Sequence, residues 1–315
     1  MNTGKVAVVI PCFKVKRSIL ELIKKIGPEV HTIYVVDDCC PEHSGDYVAE
    51  LCVDKRVSII RHAENKGVGG AVISGYQAAL QARCDVVVKL DGDGQMDPVL
   101  IKDFITPILA GEANYSKGNR FHDLERVRTM PFMRLLGNAM LSFITKFSSG
   151  YYNMFDPTNG YTAISYKALS MLPLSKISNR YFFESDVLFR LNTINAVVVD
   201  VPMDAVYGDE VSNLSIKKIF LPFLKGHGTN FTKRIFYNYF LRDFSIASIE
   251  LIFGALALLF GVVFGINAWF DATTKNQTAS SGTVMLSALP IIVGVQMLLS
   301  FLQYDIARVP TKPLK

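Results

Sequence analysis

The stretch Asp85-Val86-Val87-Val88-Lys89-Leu90-Asp91-Gly92-Asp93-Gly94-Gln95-Met96-Asp97-Pro98 decides the fold. Its first half is a near-continuous valine run, the signature of a strand buried on both faces as in a parallel sheet. It stops at an acidic, glycine-rich turn. Outward from it the same figure repeats. Residues 5–10 form a buried strand that ends at Pro11, residues 31–36 one that ends at Asp37-Asp38, and residues 57–60 a third. Residues 18–26 and 69–82 carry helical periodicity between them. Strands alternating with helices predict an α/β domain built on a mostly parallel sheet. Ligands of such sheets bind beyond the carboxyl ends of the strands. The chain sets Pro11, Asp37-Asp38 and Asp91/Asp93 at three of those ends.

Two carboxylates one residue apart cannot both be buried unpaired, because that costs several kcal/mol. A hard divalent cation resolves the conflict. Mg2+ or Mn2+ would take oxygens from Asp93 and Asp91, with Gln95 as a further donor, and a diphosphate would supply the rest. A solvated Asp-Gly turn is the plainer reading of the same residues. Other chemistries lack their motifs. Gly67-Val68-Gly69-Gly70 is not G-x-G-x-x-G and follows the third strand, and there is neither a P-loop nor a G-x-S-x-G elbow. The five cysteines, Cys12, Cys39, Cys40, Cys52 and Cys84, show no zinc spacing and fit a reduced, cytosolic region. The start of the chain runs into a strand and not into a signal-peptide core. The net charge of +5 is too small to point to nucleic acid.

Of the 315 residues, 50% are hydrophobic and 19% charged, against about 25% charged in an average soluble domain. Residues 246–270 and 283–302 absorb that excess. Each is long enough to cross about 30 Å of hydrocarbon. Pro290 suits a membrane helix better than a soluble one, and Trp269 and Tyr304 sit where interfacial aromatics are expected. The competing reading is a buried core hairpin. Lys217, Lys218, Lys225, Lys233, Arg234 and Arg242 precede the pair, and Arg308, Lys312 and Lys315 follow it. The positive-inside rule therefore puts both termini in the cytoplasm. The expected organisation is a cytosolic catalytic domain at 1–213, an amphipathic juxtamembrane segment at 214–244, a two-helix transmembrane hairpin within 245–305 and a cytosolic tail at 306–315. Gly254, Gly261 and Gly265 would suit helix association and a homo-oligomer.

A resemblance now enters. Val8-Val9-Ile10-Pro11, Val35-Val36-Asp37-Asp38, Asn65-Lys66-Gly67-Val68-Gly69-Gly70-Ala71 and Asp91-Gly92-Asp93-Gly94-Gln95-Met96-Asp97-Pro98 follow one another in that order. They resemble the successive motifs of the inverting family 2 glycosyltransferases with the GT-A (Rossmann-like) fold. The last is similar to the form found in dolichol-phosphate mannosyltransferases and bacterial polyprenyl-phosphate glycosyltransferases. Gly118-Asn119-Arg120-Phe121, Arg134-Leu135-Leu136-Gly137-Asn138 and Asp156-Pro157-Thr158-Asn159-Gly160-Tyr161 resemble further segments of that group, as does the C-terminal hairpin. Where the family often continues as P-x-Y-N-E, this chain has Pro11-Cys12-Phe13-Lys14-Val15, and the Q-x-x-R-W signature of processive synthases is missing.

The resemblance implies a nucleotide sugar donor and a polyprenyl phosphate acceptor at the membrane. Asp37 and Asp38 would meet the nucleobase and ribose, with Pro11 shaping their pocket and Lys66 near the phosphates. Their plainer use is in turns and helix caps. Asp91 would lie by the ribose and diphosphate, and Asp93 with Gln95 would hold Mg2+ or Mn2+. Phe182-Phe183-Glu184-Ser185-Asp186 stands where the family often carries an acidic motif, so Glu184 or Asp186 is the candidate base, against a helix-dipole role for the same pair. A lipid phosphate, with its second pKa at about 6, is mostly anionic already and needs positioning more than deprotonation. Arginine suits that task, and the resemblance points to Arg120 and Arg134, with Arg126, Arg128 and Arg180 less specific. A saccharide or lipid-linked glycan acceptor is the alternative, and a non-catalytic membrane-tethered binding subunit is the second one.

Overall fold

The computed structural model describes residues 4–122, 132–204 and 216–315, and of 132–134 and 216–220 the backbone only. Two compact units emerge, one from residues 1–234 with 310–315 and one from 235–309.

In the first unit, strand β1 (Val6–Cys12) runs through the middle of the core, and Val6 to Ile10 are buried without exception. Each such side chain contributes about 1.5–3 kcal/mol by leaving water. Around it lie α1 (Ile19–Lys25), β2 (Thr32–Asp37), α2 (Ser44–Leu51), β3 (Val57–Arg61), α3 (Val68–Gln81) and β4 (Val86–Lys89). These four strands are parallel, as their apolar runs predict. The second half adds α4 (Ile101–Leu109), β5 (Tyr115–Asn119), α5 (Phe132–Ser149), β6 (Thr162–Ser165), α6 (Tyr166–Met171), α7 (Phe183–Thr193), β7 (Val198–Pro202) and α8 (Ile216–Phe236). The seven-stranded sheet has the order β3-β2-β1-β4-β6-β5-β7, with β6 antiparallel to both neighbours.

β5 and β6 carry no legible strand pattern. Tyr115-Ser116-Lys117-Gly118-Asn119 and Thr162-Ala163-Ile164-Ser165 mix polar and apolar residues, yet all nine are buried. Their place in the sheet makes them strands, not their own hydropathy. One row crosses five strands in register: Val9, Lys89, Thr162, Lys117 and Asp200. Two lysines thus stand side by side under the sheet's carboxyl edge, separated by one threonine.

The second unit is a helical hairpin. A π-helical turn at Tyr237–Arg242 leads to α9 (Ile246–Thr274), and α10 (Ser281–Ala307) returns. Both helices are long and apolar enough to cross a membrane, and most of their surface is uncovered. Phe253, Leu259, Ile292 and Leu299 all face outward. The buried-core reading of this hairpin therefore falls, and the helices indicate membrane association. They outrun the apolar stretches, because the polar ends 271–274 and 303–307 continue the helix where the hydrocarbon signal stops. The glycines suggested for association are used inside the hairpin. A Cβ on Gly254 would lie 3.1 Å from the Gly294 carbonyl oxygen, and one on Gly261 would lie 2.7 Å from the Ser287 oxygen. Polar groups pair across it, as intramembrane polar groups must: Ser300 donates to Glu250 at 2.7 Å and Tyr239 to Asp305 at 2.7 Å.

Candidate active site

The turn after β4 is built as a rigid holder. Gly92 comes so close to β1 that a Cβ would lie 3.2 Å from the Pro11 carbonyl oxygen. The Ser18 hydroxyl donates to the Gly92 carbonyl at 2.6 Å. Gly94 takes a φ of +80°, which favours glycine, and the Gln95 amide donates back to Asp93 at 3.0 Å. Tyr161 then fastens the far end. Its hydroxyl donates to the Asp97 carbonyl at 3.1 Å, and its ring stacks on Phe104 at 4.0 Å. Two motifs far apart in sequence, at 91–98 and 156–161, form one surface.

Between them lies a buried ion network. The Lys89 ammonium is 2.9 Å from Asp91 Oδ1 and 3.1 Å from Glu184 Oε1, with its side chain 1% exposed. Burial opposes its charge, but Asp91 and Glu184 hold its pKa above the ordinary lysine range. Lys117, fully buried, donates to the Asn159 carbonyl. Burial pushes it down to about 8, against the pull of Glu184 and Asp156. Asp156 is also fully buried and accepts the Arg120 guanidinium in a fork, at 2.7 Å from Nε and 3.1 Å from Nη2. That fork fixes the planar group at the end of β5.

The sequence candidates divide. Asp91, Asp93 and Gln95 share the turn, Glu184 joins them through Lys89, and Arg120 stands at the end of β5 beside the 156–161 turn. Asp186, two residues past Glu184, points elsewhere. It accepts from the Ser178 amide at 2.9 Å, Arg190 at 3.2 Å and Asn230 at 3.2 Å. Asp37 and Asp38, expected at the nucleobase and ribose, stand at the end of β2 with oxygens that the chain's own amides meet. Asp37 accepts from the amides of Cys40 at 2.8 Å and Gly45 at 2.6 Å, tying the turn into α2. Asp38 accepts from the Lys66 and Gly67 amides at 2.8 and 2.7 Å and meets His62 at 2.7 Å. Both aspartates are buried. Pro11, next to last in β1, is half-buried, while Lys66 and Arg180 are exposed. Arg134 belongs to α5 with its side chain outside the described residues, and Arg126 and Arg128 lie outside them altogether.

Lys89, Lys117 and Asp156 escaped the sequence reading as site residues. A lysine closing an otherwise all-valine strand was the available signal for the first. The glycine run proves to be a packing device. A Cβ on Gly69 would overlap the Ser178 carbonyl oxygen and lie 2.9 Å from the Phe183 ring, and the Gly70 amide donates to the Asn179 carbonyl at 3.0 Å. This contact seats the loop that precedes Glu184.

Among the described residues no three His, Cys, Asp or Glu side chains gather as a closed metal cage. The Asp91–Asp93 turn instead offers a few hard oxygens on a rigid loop. That suits a divalent cation which completes its shell from a diphosphate and water, so the residues fit the ion as a partial donor set.

Comparison with known proteins agrees with this geometry. The dolichyl-phosphate N-acetylglucosaminyltransferase of Methanococcus voltae, which uses UDP-N-acetylglucosamine, is 29% identical over 213 residues, covering 63% of this chain and 84% of that one. The polyprenol monophosphomannose synthase of Mycolicibacterium smegmatis is 28% identical over 207 residues, covering 64% and 77%. Among solved structures, the glucosyl-3-phosphoglycerate synthase of Mycobacterium tuberculosis in complex with UDP shares the fold at a TM-score of 0.54 and 15% identity, covering 73% of this chain and 80% of that one. The same synthase has been solved with Mn2+, UDP and phosphoglyceric acid, at a TM-score of 0.54 and 16% identity, covering 73% and 78%. Residues 7–172, just over half of the 315, match the model described as Glycosyl transferase family 2. The mostly parallel sheet, the acidic turn at its carboxyl edge and this match together establish that the chain belongs to glycosyl transferase family 2.

Proposed function

We propose that this glycosyltransferase moves a hexose, with inversion, from a nucleoside diphosphate sugar to a polyprenyl phosphate on the cytoplasmic leaflet. The observation that carries the reading is the Asp91–Lys89–Glu184 network. Through the buried Lys89 it links Asp91 of the β4 turn to an acid at the start of α7. The names of the relatives, which specify lipid phosphates, and the apolar hairpin support the acceptor.

In this reading Asp93, Asp91 and Gln95 hold Mg2+ or Mn2+. Held by these residues, such a cation would supply charge neutralisation for a departing diphosphate. Pro11 and the ends of β1 and β2 wall the nucleotide, and Lys66 reaches toward its phosphates. Asp37 and Asp38 keep that wall in shape through the backbone amides they accept. Arg120, braced by Asp156, and Arg134 orient the anionic acceptor. Fixed cations of this kind need no reorganisation when charge moves. The acceptor oxygen is already ionised, so no strong base is needed, and Glu184, held by Lys89, orients neighbouring groups. Asp186 supports Glu184 by fixing the first turn of α7. The basic flanks of the hairpin support a topology with both termini in the cytoplasm, in which the hairpin tethers the catalytic unit to the bilayer.

The test is transfer by the full chain in detergent or lipid. A panel of radiolabelled nucleotide sugars is offered with polyprenyl phosphate or with glycan acceptors, with Mg2+ or Mn2+ and with chelator. A chloroform-soluble sugar phospholipid, lost with chelator, is expected. Label found only on glycans would transfer the assignment to the saccharide acceptor. No transfer with any donor would favour a binding subunit.

A further inference from the structure

Asn114 stands just before β5, at the edge of the sheet opposite the acidic turn, and is buried. Its backbone serves the adjacent strands. The amide donates to the Val197 carbonyl at 2.9 Å, and the carbonyl accepts the Ser165 amide at 2.9 Å. Its side chain reaches further. Oδ1 accepts the Val197 amide at 3.0 Å and the Leu314 amide at 2.9 Å, while Nδ2 donates to the Leu314 carbonyl at 3.3 Å. The side-chain amide thus meets both backbone groups of Leu314, as a paired strand residue would. The two residues are 200 positions apart. Pro313 and Leu314 are half-buried. Pro310 and Pro313 fix their own φ, so this tail gives up little freedom on docking.

Residues 310–315 cluster with the catalytic unit, although they follow α10 of the hairpin. The chain therefore passes between its two units twice, at 234/235 and at 309/310. We propose that residues 310–315 form a strap whose docking on Asn114 turns the second passage into an attachment, and that Asn114 is thereby a positioning residue for transfer to acceptors embedded in a bilayer. A second attachment raises the effective concentration of a tethered site at its target without adding a contact to the acceptor. A released tail leaves the catalytic unit hung from the first passage. β5 carries the strap at its start and Arg120 just past its end. The proposal deepens the reading given above and rests on its lipid phosphate acceptor.

The experiment uses the full chain in vesicles and has two readouts. The first is hydrogen exchange at the Leu314 amide. In wild type it should be at least about tenfold slower than in an unstructured peptide, and Asn114→Ala should remove that protection. The second is transfer from the active donor to polyprenyl phosphate in vesicles and to a short, water-soluble prenyl phosphate. Asn114→Ala and Leu314→Pro should each lower kcat/KM for the embedded acceptor by about tenfold, with kcat and KM for the soluble one unchanged. Asn114→Ala also strips the Val197 amide of its side-chain partner and can fail to fold. Leu314→Pro removes only an amide hydrogen of the tail and keeps the comparison readable. A Leu314 amide that exchanges freely in wild type overturns the docking. Folded variants that slow both acceptors equally, or neither, overturn the positioning role. A wild type that transfers to neither acceptor overturns the function, and the role with it, before any variant is compared.

Discussion

Asp93 and Glu184 are both acids near one turn, yet their replacement should read differently. Asp93→Asn removes a carboxylate charge from the turn proposed to hold the cation. It should lower turnover by about 100-fold, in line with several kcal/mol of lost charge stabilisation, with little change in melting temperature. Glu184→Gln should lower kcat more than it raises KM, since it leaves the Asp91–Asp93 turn standing. Asp186→Asn should act chiefly on stability, by about 1.5–3 kcal/mol, because its carboxylate accepts from three donors inside the fold. Steady-state kinetics beside thermal melts of the three variants separate these roles. Lys117 gives a pH signature. Its folded pKa lies near 8 through burial, below the value of about 10.4 for a free lysine. Between those values the unfolded chain binds more protons than the fold, so stability rises with pH across that window. Melting temperatures at pH 7.5 and 9.5 should show that rise in wild type and a flatter response in Lys117→Met.

At the scale of elements, the contact that seats Glu184 is the approach of α3 to the loop at 178–183. Gly69→Ala puts a methyl group against the Ser178 carbonyl and the Phe183 ring. Overpacking of this kind costs about 1–3 kcal/mol. The loop must move, so activity should fall further than the loss of stability accounts for, as paired melts and rates will show. The packing of α8 on α5 has its own titration. His227 on α8 meets the Ser148 hydroxyl at 2.7 Å, and burial pushes its pKa down to about 4. The fold keeps this ring neutral, while the unfolded chain takes up a proton below about pH 6.5. Stability from this group is therefore full above about 6.5 and is lost as pH falls toward 4, by roughly 3 kcal/mol at most. Between pH 7 and pH 5 the wild type should lose more melting temperature than His227→Leu.

For the whole molecule, the hairpin of α9 and α10 predicts an integral membrane protein. Alkaline carbonate should leave the full chain in the membrane fraction, and release into the supernatant would argue for peripheral attachment. A reporter active only outside the cytoplasm should light up when inserted at Gln277 and stay dark at the C-terminus. The chain itself announced much of this. The valine runs that end in Pro11, Asp37-Asp38 and Asp91 are local patterns whose burial no partner can reverse, so these three strands and the acidic edge were legible, and β3 followed from its shorter apolar run. So were two long apolar helices, because their length and composition alone exclude a water-facing fate. What the sequence left open was direction and pairing. Asp37, Asp38 and Asp186 look as able to meet a ligand as Asp91 does. Only the folded chain shows which amides and side chains their oxygens meet. β5 and β6 became strands through their neighbours, and Lys89 became a bridge only when α7 brought Glu184 to it across 95 residues. Hydrophobic periodicity is a property of adjacent residues and survives in one dimension. The partner of a buried charge comes from wherever the chain returns, and only three dimensions decide it.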